Sequence, residues 1–226
     1  MLYYDLHIHS CLSPCGDTDM TPNNICAMAH IKGLDCIALT DHNSTGNVRA
    51  MYKAAQKFNI NFIAGIELNT AEEVHLLAYF PNVSKAESFN SYIAPYRLHI
   101  KNKAEFFGEQ YYVDENDDII KTEEDLLISP LTLPFDDAVK KIRSFGGVPV
   151  PAHIFRSSGL VSMLGFIPES ACINTVEITK EEKAPQNYKT LISSDAHYLG
   201  DISERENALP CENNTAEILA YLDKYM

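Results

Sequence analysis

Six of the eight histidines in this 226-residue sequence recur beside carboxylates in short clusters. These are Asp5-Leu6-His7-Ile8-His9-Ser10, Thr40-Asp41-His42-Asn43, His75, Pro151-Ala152-His153 and Ser193-Ser194-Asp195-Ala196-His197, with Asp17 following the first and Gly65-Ile66-Glu67-Leu68 between the second and third. Mixed imidazole and carboxylate donors suit zinc, manganese or iron. Residues two apart on a strand project to one face, so His7 and His9 can grip one ion side by side. Taken singly each cluster has an ordinary reading: a chance pair, a surface Glu67, a hydrogen-bonded core His75. Their recurrence is what carries the signal. The donors exceed what one ion needs, so two or three divalent ions are expected. His30, inside the first helix, reads as structural, and His99 lies outside the pattern.

Most of these clusters fall at the ends of strand-like runs. Strands are expected at Leu2–Ile8, Asp35–Thr40, Asn61–Leu68, Val74–Phe80, Val148–Ala152, Thr175–Ile178 and Thr190–Ser193. Helices are expected after Thr21-Pro22 up to Gly33, from about Gly46 to Phe58, from Leu133 to Phe145, and from Asn214 to Tyr225. Alternating strands and helices point to parallel βαβ construction, whose strand ends converge on one mouth in a barrel. The segment from about 81 to 134 breaks the rhythm with a hairpin around an acidic turn at 114–118. Its acidic run to Asp125 reads as a solvated face. One barrel-like α/β domain over 1–226, with this segment inserted, is the simplest organisation.

Composition limits the partners. With 18 Lys+Arg against 31 Asp+Glu the net charge is −13, which excludes a broad basic track for duplex nucleic acid or anionic lipid. No leader-like N-terminus and no long apolar run is present, so a cytoplasmic location without membrane association is expected. Cys11, Cys15, Cys26, Cys36, Cys172 and Cys211 then read as reduced thiols, and the Cys11-x3-Cys15 pair as ordinary free cysteines.

The set DLHIHS, TDHN, GIEL, His75, PAH and SSDAH resembles the PHP (polymerase and histidinol phosphatase) family of metal-dependent phosphoesterases, over residues 1–80 and about 145–200. The resemblance implies a distorted (β/α)7 barrel with metals at the C-terminal rim of the strands, in keeping with the seven strands counted above. It implies that His7, His9, Glu67 and Asp195 hold one ion, with Glu67 bridging to the others. Asp17, His42 and His197 match a second position, and His75 and His153, with Glu67, a third. Some family members carry histidine where Asp17 stands, so aspartate there changes metal preference or weakens the second position.

The layout is most similar to small stand-alone family members that cleave nucleotide phosphoesters. Clustered metals would lower the pKa of a bridging water and clamp phosphate oxygens, so a metal-bridging hydroxide is the expected nucleophile. Asp41 and His197 are expected to orient ligands or move a proton, and Arg156 to grip a phosphate. Phe106, Phe107, Tyr111, Tyr112 and Phe155 offer a shelf for a base, or simply pack the insertion. The expected function is hydrolysis of a small phosphorylated substrate, a nucleotide or short oligonucleotide end. Histidinol-phosphate phosphatase and a non-catalytic metal-binding regulatory domain are the alternatives. Three carboxylates against three dications leave the centre at about +3 despite the acidic surface.

Overall fold

A computed structural model describes residues 1–224. Its strands are β1 (Leu2–Asp5), β2 (Cys36–Leu39), β3 (Asn61–Asn69), β4 (His75–Phe80), β5 (Tyr111–Val113), β6 (Ile119–Thr122), β7 (Val148–Pro151), β8 (Thr175–Glu177), β9 (Lys189–Leu191) and β10 (Ala208–Leu209). The helices are α1 (Pro22–Ile31), α2 (Val48–Phe58), α3 (Val83–Ile93), α4 (Ala104–Phe107), α5 (Phe135–Ser144), α6 (Leu160–Leu164) and α7 (Thr215–Asp223). All seven expected barrel strands form, and the hairpin is β5–β6. The expected end of the last helix at Tyr225 lies outside the described residues. Among the described residues no helix is long and apolar enough to cross a membrane.

The strands curl into a distorted barrel. A six-stranded sheet runs β10-β1-β2-β3-β4-β7, and β8 pairs with β9 in parallel. Ile154 N–H donates to Glu177 O, linking the end of β7 to β8. A parallel bridge between Ile8 and Ala196 joins the end of β1 to the segment beyond β9. Lower down, β10 occupies that edge of β1 instead, antiparallel, with Leu2 opposite Leu209.

The expectation of parallel βαβ order needs one correction. β4 runs antiparallel to both β3 and β7. Only residues 70–74 separate β3 from β4, and a parallel crossover needs roughly a dozen or more. The reversal puts His75, the first residue of β4, at the same rim as the last residues of its neighbours.

Two apolar layers hold the barrel. Inside, Leu2, Tyr4, Cys36, Ala38, Ile63, Leu77, Tyr79 and Val150 meet Ile218 and Leu222 of α7, which plugs the end away from the histidines. Outside, Ile37, Leu39, Ala64, Ile66, Leu76, Ala78 and Phe80 pack under the helices. This alternation decides which way each donor points. On β3, Glu67 shares the phase of Ile63, and on β4, His75 shares that of Leu77 and Tyr79, so both face inward.

Elsewhere the phase must be broken. If β1 continued regularly, His7 and His9 would follow Tyr3 and Asp5 toward the outer layer. The strand ends at Asp5, whose buried carboxylate accepts from Ser194 N and Oγ (3.1 and 2.6 Å), Ser203 N (2.8 Å) and His7 N (3.4 Å). Beyond that knot Leu6 still packs inside, Ile8 packs outside, and the two imidazoles turn into the barrel. At the end of β7, Ala152 faces inward, and the next residue, His153, turns back through a positive φ of 27°.

Candidate metal centre

Glu67 lies at the middle of the site, completely buried. Its Oε2 stands 3.0 Å from His42 Nδ1, 3.3 Å from His9 Nε2 and 3.4 Å from His7 Nε2. Its Oε1 stands 2.9 Å from His75 Nδ1 and 3.4 Å from His153 Nε2. Neither oxygen receives an aligned hydrogen bond, and His42 Nδ1, His75 Nδ1 and His153 Nδ1 are likewise buried without a hydrogen-bond partner. A buried polar group left unmet costs about 1–3 kcal/mol, and more for a charge. Such a concentration of unmet donors and acceptors fits a cation at their centre.

A second observation supports the fit. His7 Nε2 and His9 Nε2 are 3.2 Å apart. Each is 3.3 Å from Asp195 Oδ1. With the distances to Glu67 these make five of the six edges of a tetrahedron. Donors about 2.0–2.1 Å from a tetrahedral zinc stand roughly 3.3–3.4 Å from one another.

Hydrogen bonds behind the rings aim them. Glu177 accepts from His7 Nδ1–H at 2.9 Å, leaving the Nε2 lone pair to face inward. Ser13 Oγ–H donates to Asp41 (2.8 Å) and its oxygen accepts from His9 Nδ1–H (3.0 Å). Asp41 also accepts from Ser10 N and Oγ, both at 2.7 Å. It therefore acts on the site through Ser13 and the loop, without touching the cluster. His197 Nδ1–H donates to the backbone oxygen of Asp195 at 2.7 Å, so its Nε2 carries the lone pair. Glu177 and Ser13 escaped sequence reasoning. For Glu177 a signal existed: a carboxylate between Val176 and Ile178 at the end of a barrel strand.

The electrostatics show how strongly the site draws positive charge. Burial opposes protonation of His7, yet Glu177, Asp195 and Glu67 outweigh it and hold the imidazole well above its ordinary value. Burial likewise opposes the His9 cation, but Asp195 and Glu67 carry it to about 9. Glu67 and Asp195 are held well below the usual carboxylate range: burial opposes this, but His75 and His7 at Glu67, and His7 and His9 at Asp195, prevail. Burial drives His42 down to about 3 and His197 to about 4. Burial, then the Glu67 carboxylate, push the Cys15 thiol up.

The structure brings together His7, His9, His42, Glu67, His75, His153, Asp195 and His197. Asp17 stays apart. Its Oδ1 accepts from Asp19 N–H at 2.8 Å in an exposed turn, and it joins none of the metal-capable groups found among the described residues. Cys15, two residues earlier, groups with His9, His42 and His197, their donor atoms all within 4.8 Å of one another. Arg156 does reach the centre. Its Nη1 donates to Asp195 Oδ2 at 2.8 Å, while Asp195 Oδ1 faces the imidazoles. His99 pairs with Asp125 at 2.7 Å, away from the cluster. Phe106, Phe107 and Phe155 are exposed, whereas Tyr111 and Tyr112 are half-buried in the hairpin.

The PHP domain family model matches residues 5–144, more than half of the chain. The chain belongs to the PHP domain family. The matched residues include five of the donors gathered at the barrel mouth, His7, His9, His42, Glu67 and His75. A 5′-3′ exoribonuclease of Haemophilus influenzae is 33% identical over 67 residues, covering 30% of this chain and 23% of that protein. An uncharacterised protein of Methanocaldococcus jannaschii is 33% identical over 76 residues, covering 30% of this chain and 44% of that one. The chain thus matches less than half the length of either curated relative. Among solved structures, the lesion-specific endonuclease Q of Pyrococcus furiosus superposes with a TM-score of 0.70 at 18% identity, covering 98% of this chain and 56% of that one. A candidate metal-dependent phosphoesterase of Bifidobacterium adolescentis superposes with a TM-score of 0.67 at 18% identity, over 99% and 97% of the two chains. At these identities the superpositions establish the shared fold.

Proposed function

We propose that this PHP protein hydrolyses a phosphoester of a nucleotide or of a short oligonucleotide end, at a centre of two or three divalent ions. The observation that carries this reading is Glu67, with both oxygens buried, unmet by hydrogen bonds and faced by five imidazoles. His7, His9, Glu67 and Asp195 would hold one ion, and Glu67, His75 and His153 another. His42 and His197 would contribute to a further position. Zinc, manganese and iron all suit these donors. Ions bound there would polarise the phosphate, lower the pKa of a coordinated water and neutralise the leaving oxygen.

The chain's own residues do the rest. Glu177 and the Asp41–Ser13 pair fix the tautomers of His7 and His9, so that neither ring must reorient during turnover. Arg156, half-exposed at the mouth, swings from Asp195 to a non-bridging phosphate oxygen of the substrate. With Nδ1–H spent on Asp195 O, His197 keeps only the Nε2 lone pair, which suits it to hold an ion rather than to pass a proton. Phe155, two residues from His153, offers a face for a base. We place the protein in the cytoplasm, where its six cysteines would stay reduced. One domain with an insertion at about 81–134 remains the organisation we favour.

Phosphate release from nucleoside bisphosphates, 5′-phosphorylated oligonucleotides and histidinol phosphate, with added zinc, manganese or iron, tests this. Turnover of the nucleotide class is expected. Preference for histidinol phosphate would move the protein to amino-acid metabolism, and inertness toward every phosphoester would end the catalytic reading. A duplex with an abasic site belongs in the panel, because endonuclease Q has been solved with such a substrate.

A further inference from the structure

We propose that Cys15, as a thiolate, supplies the third protein donor of the second metal position, together with His42 and His197, in the place expected for Asp17. The inference rests on the metal-centre reading above and adds a soft donor to it. Cys15 Sγ lies in one group with ring nitrogens of His9, His42 and His197, all within 4.8 Å of one another. His42 is buried, and its Nδ1 has no hydrogen-bond partner. None of the other five cysteines joins a metal-capable group among the described residues.

The loop holds Cys15 there by construction. Ser10 and Ser13 both donate to Asp41, and Leu12 N–H donates to Ser10 Oγ at 3.2 Å. Gly16 N–H then donates to Ser13 O at 2.9 Å, closing a turn that carries Cys15 toward the histidines. A Cβ at Gly16 would stand 2.5 Å from Ser10 O, so the turn closes this tightly only on glycine. From outside, Gly108 presses on Pro14, where a Cβ would stand 2.1 Å from Pro14 O. Asp17 N–H is spent on His197 O at 2.9 Å, which ties the loop to a neighbouring donor while the Asp17 side chain turns to Asp19. The loop thus delivers sulfur, not carboxylate.

A thiolate favours zinc or iron(II) over manganese and magnesium at that position. The decisive measurement is X-ray absorption at the zinc edge of the zinc-loaded protein, which needs no variant. One sulfur neighbour at about 2.3 Å, among nitrogen and oxygen, is expected. Cobalt(II)-loaded protein should show a near-ultraviolet thiolate-to-cobalt charge-transfer band that Cys15→Ser loses and Asp17→Asn keeps. Two or more bound ions with no sulfur neighbour would overturn the inference and leave the metal centre standing. A cobalt band that survives Cys15→Ser, or that Asp17→Asn removes, would overturn it too. Failure to take up any ion would overturn the metal-centre reading along with it.

Discussion

Two regions of this molecule are rich in carboxylates, and they behave oppositely. In the hairpin, Asp114 accepts from Asn116 N and Asp118 N, Glu115 pairs with Lys53, and Glu123 accepts from Tyr112 Oη. Asp117 accepts from Thr21 Oγ1 and from the backbone and side chain of Asn23, capping α1 from outside that helix. These charges are solvated or met locally, and the region asks for no cation. At the barrel mouth, Glu67, Glu177 and Asp41 are fully buried, and Glu67 has no aligned donor at all. A metal site is therefore marked by buried acidity left unsatisfied, and not by a high density of acid. Interior alternation and two phase breaks create that condition at the mouth, while the hairpin's turn geometry abolishes it.

Breaking the contrast most sharply, Glu67→Ala should empty the centre and lower turnover by at least about a thousandfold, with metal content read by mass spectrometry. Glu177→Gln keeps the shape but weakens the charge behind His7, so metal affinity should fall roughly 10–100-fold in a chelator competition. Arg156→Ala should raise KM roughly tenfold with kcat largely kept, as expected for a phosphate contact outside the metal sphere.

Proton competition sharpens the same comparison. His9 keeps its proton to about 9 in the metal-free site, above an ordinary value of 6.5. Loading must displace that proton as well as the one His7 holds, so affinity should rise at least about tenfold per pH unit up to about 9. In the metal-free protein His9 contributes stability that is complete below 6.5 and lost as pH rises through about 9. His42, held at about 3, acts the other way and costs stability as pH falls below 6.5. Urea midpoints across that range should show a maximum that metal loading flattens. At the small end, Asp117→Ala should cost about 1 kcal/mol by uncapping α1 and leave metal content unchanged.

Much of the site was legible because its donors come as His and Asp doublets at strand ends. The seven strands were legible because each is a short apolar run beside a helical pattern. What escaped were matters of direction. Parallel order failed at β4, since the five-residue connection 70–74 carries no turn motif strong enough to announce a hairpin. The His7 and His9 rings do stand side by side, but not through strand alternation. Simple alternation would have sent both outward, and the Asp5 knot, assembled from Ser194 and Ser203 far along the chain, is invisible to local pattern. Cys15 was passed over because a lone Cys-x3-Cys has no matching second pair, and only the folded loop shows that the sulfur points at three histidines.

The seam between Ile8 and Ala196 also fixes a schedule. His9 N–H donates to Ala196 O and Ala196 N–H to His7 O, so the first-made and last-made donors are stitched by their own peptide groups. Ribosomes add roughly 5–20 residues per second, so His7 and His9 wait roughly 10–40 s before Asp195 and His197 emerge. Until then the nascent chain already carries Glu67, His75 and His153 but lacks the residues that complete the first position. On the proposed reading, ion capture follows the synthesis of Asp195 and His197, and a polypeptide stalled before them would hold only part of its chelating groups.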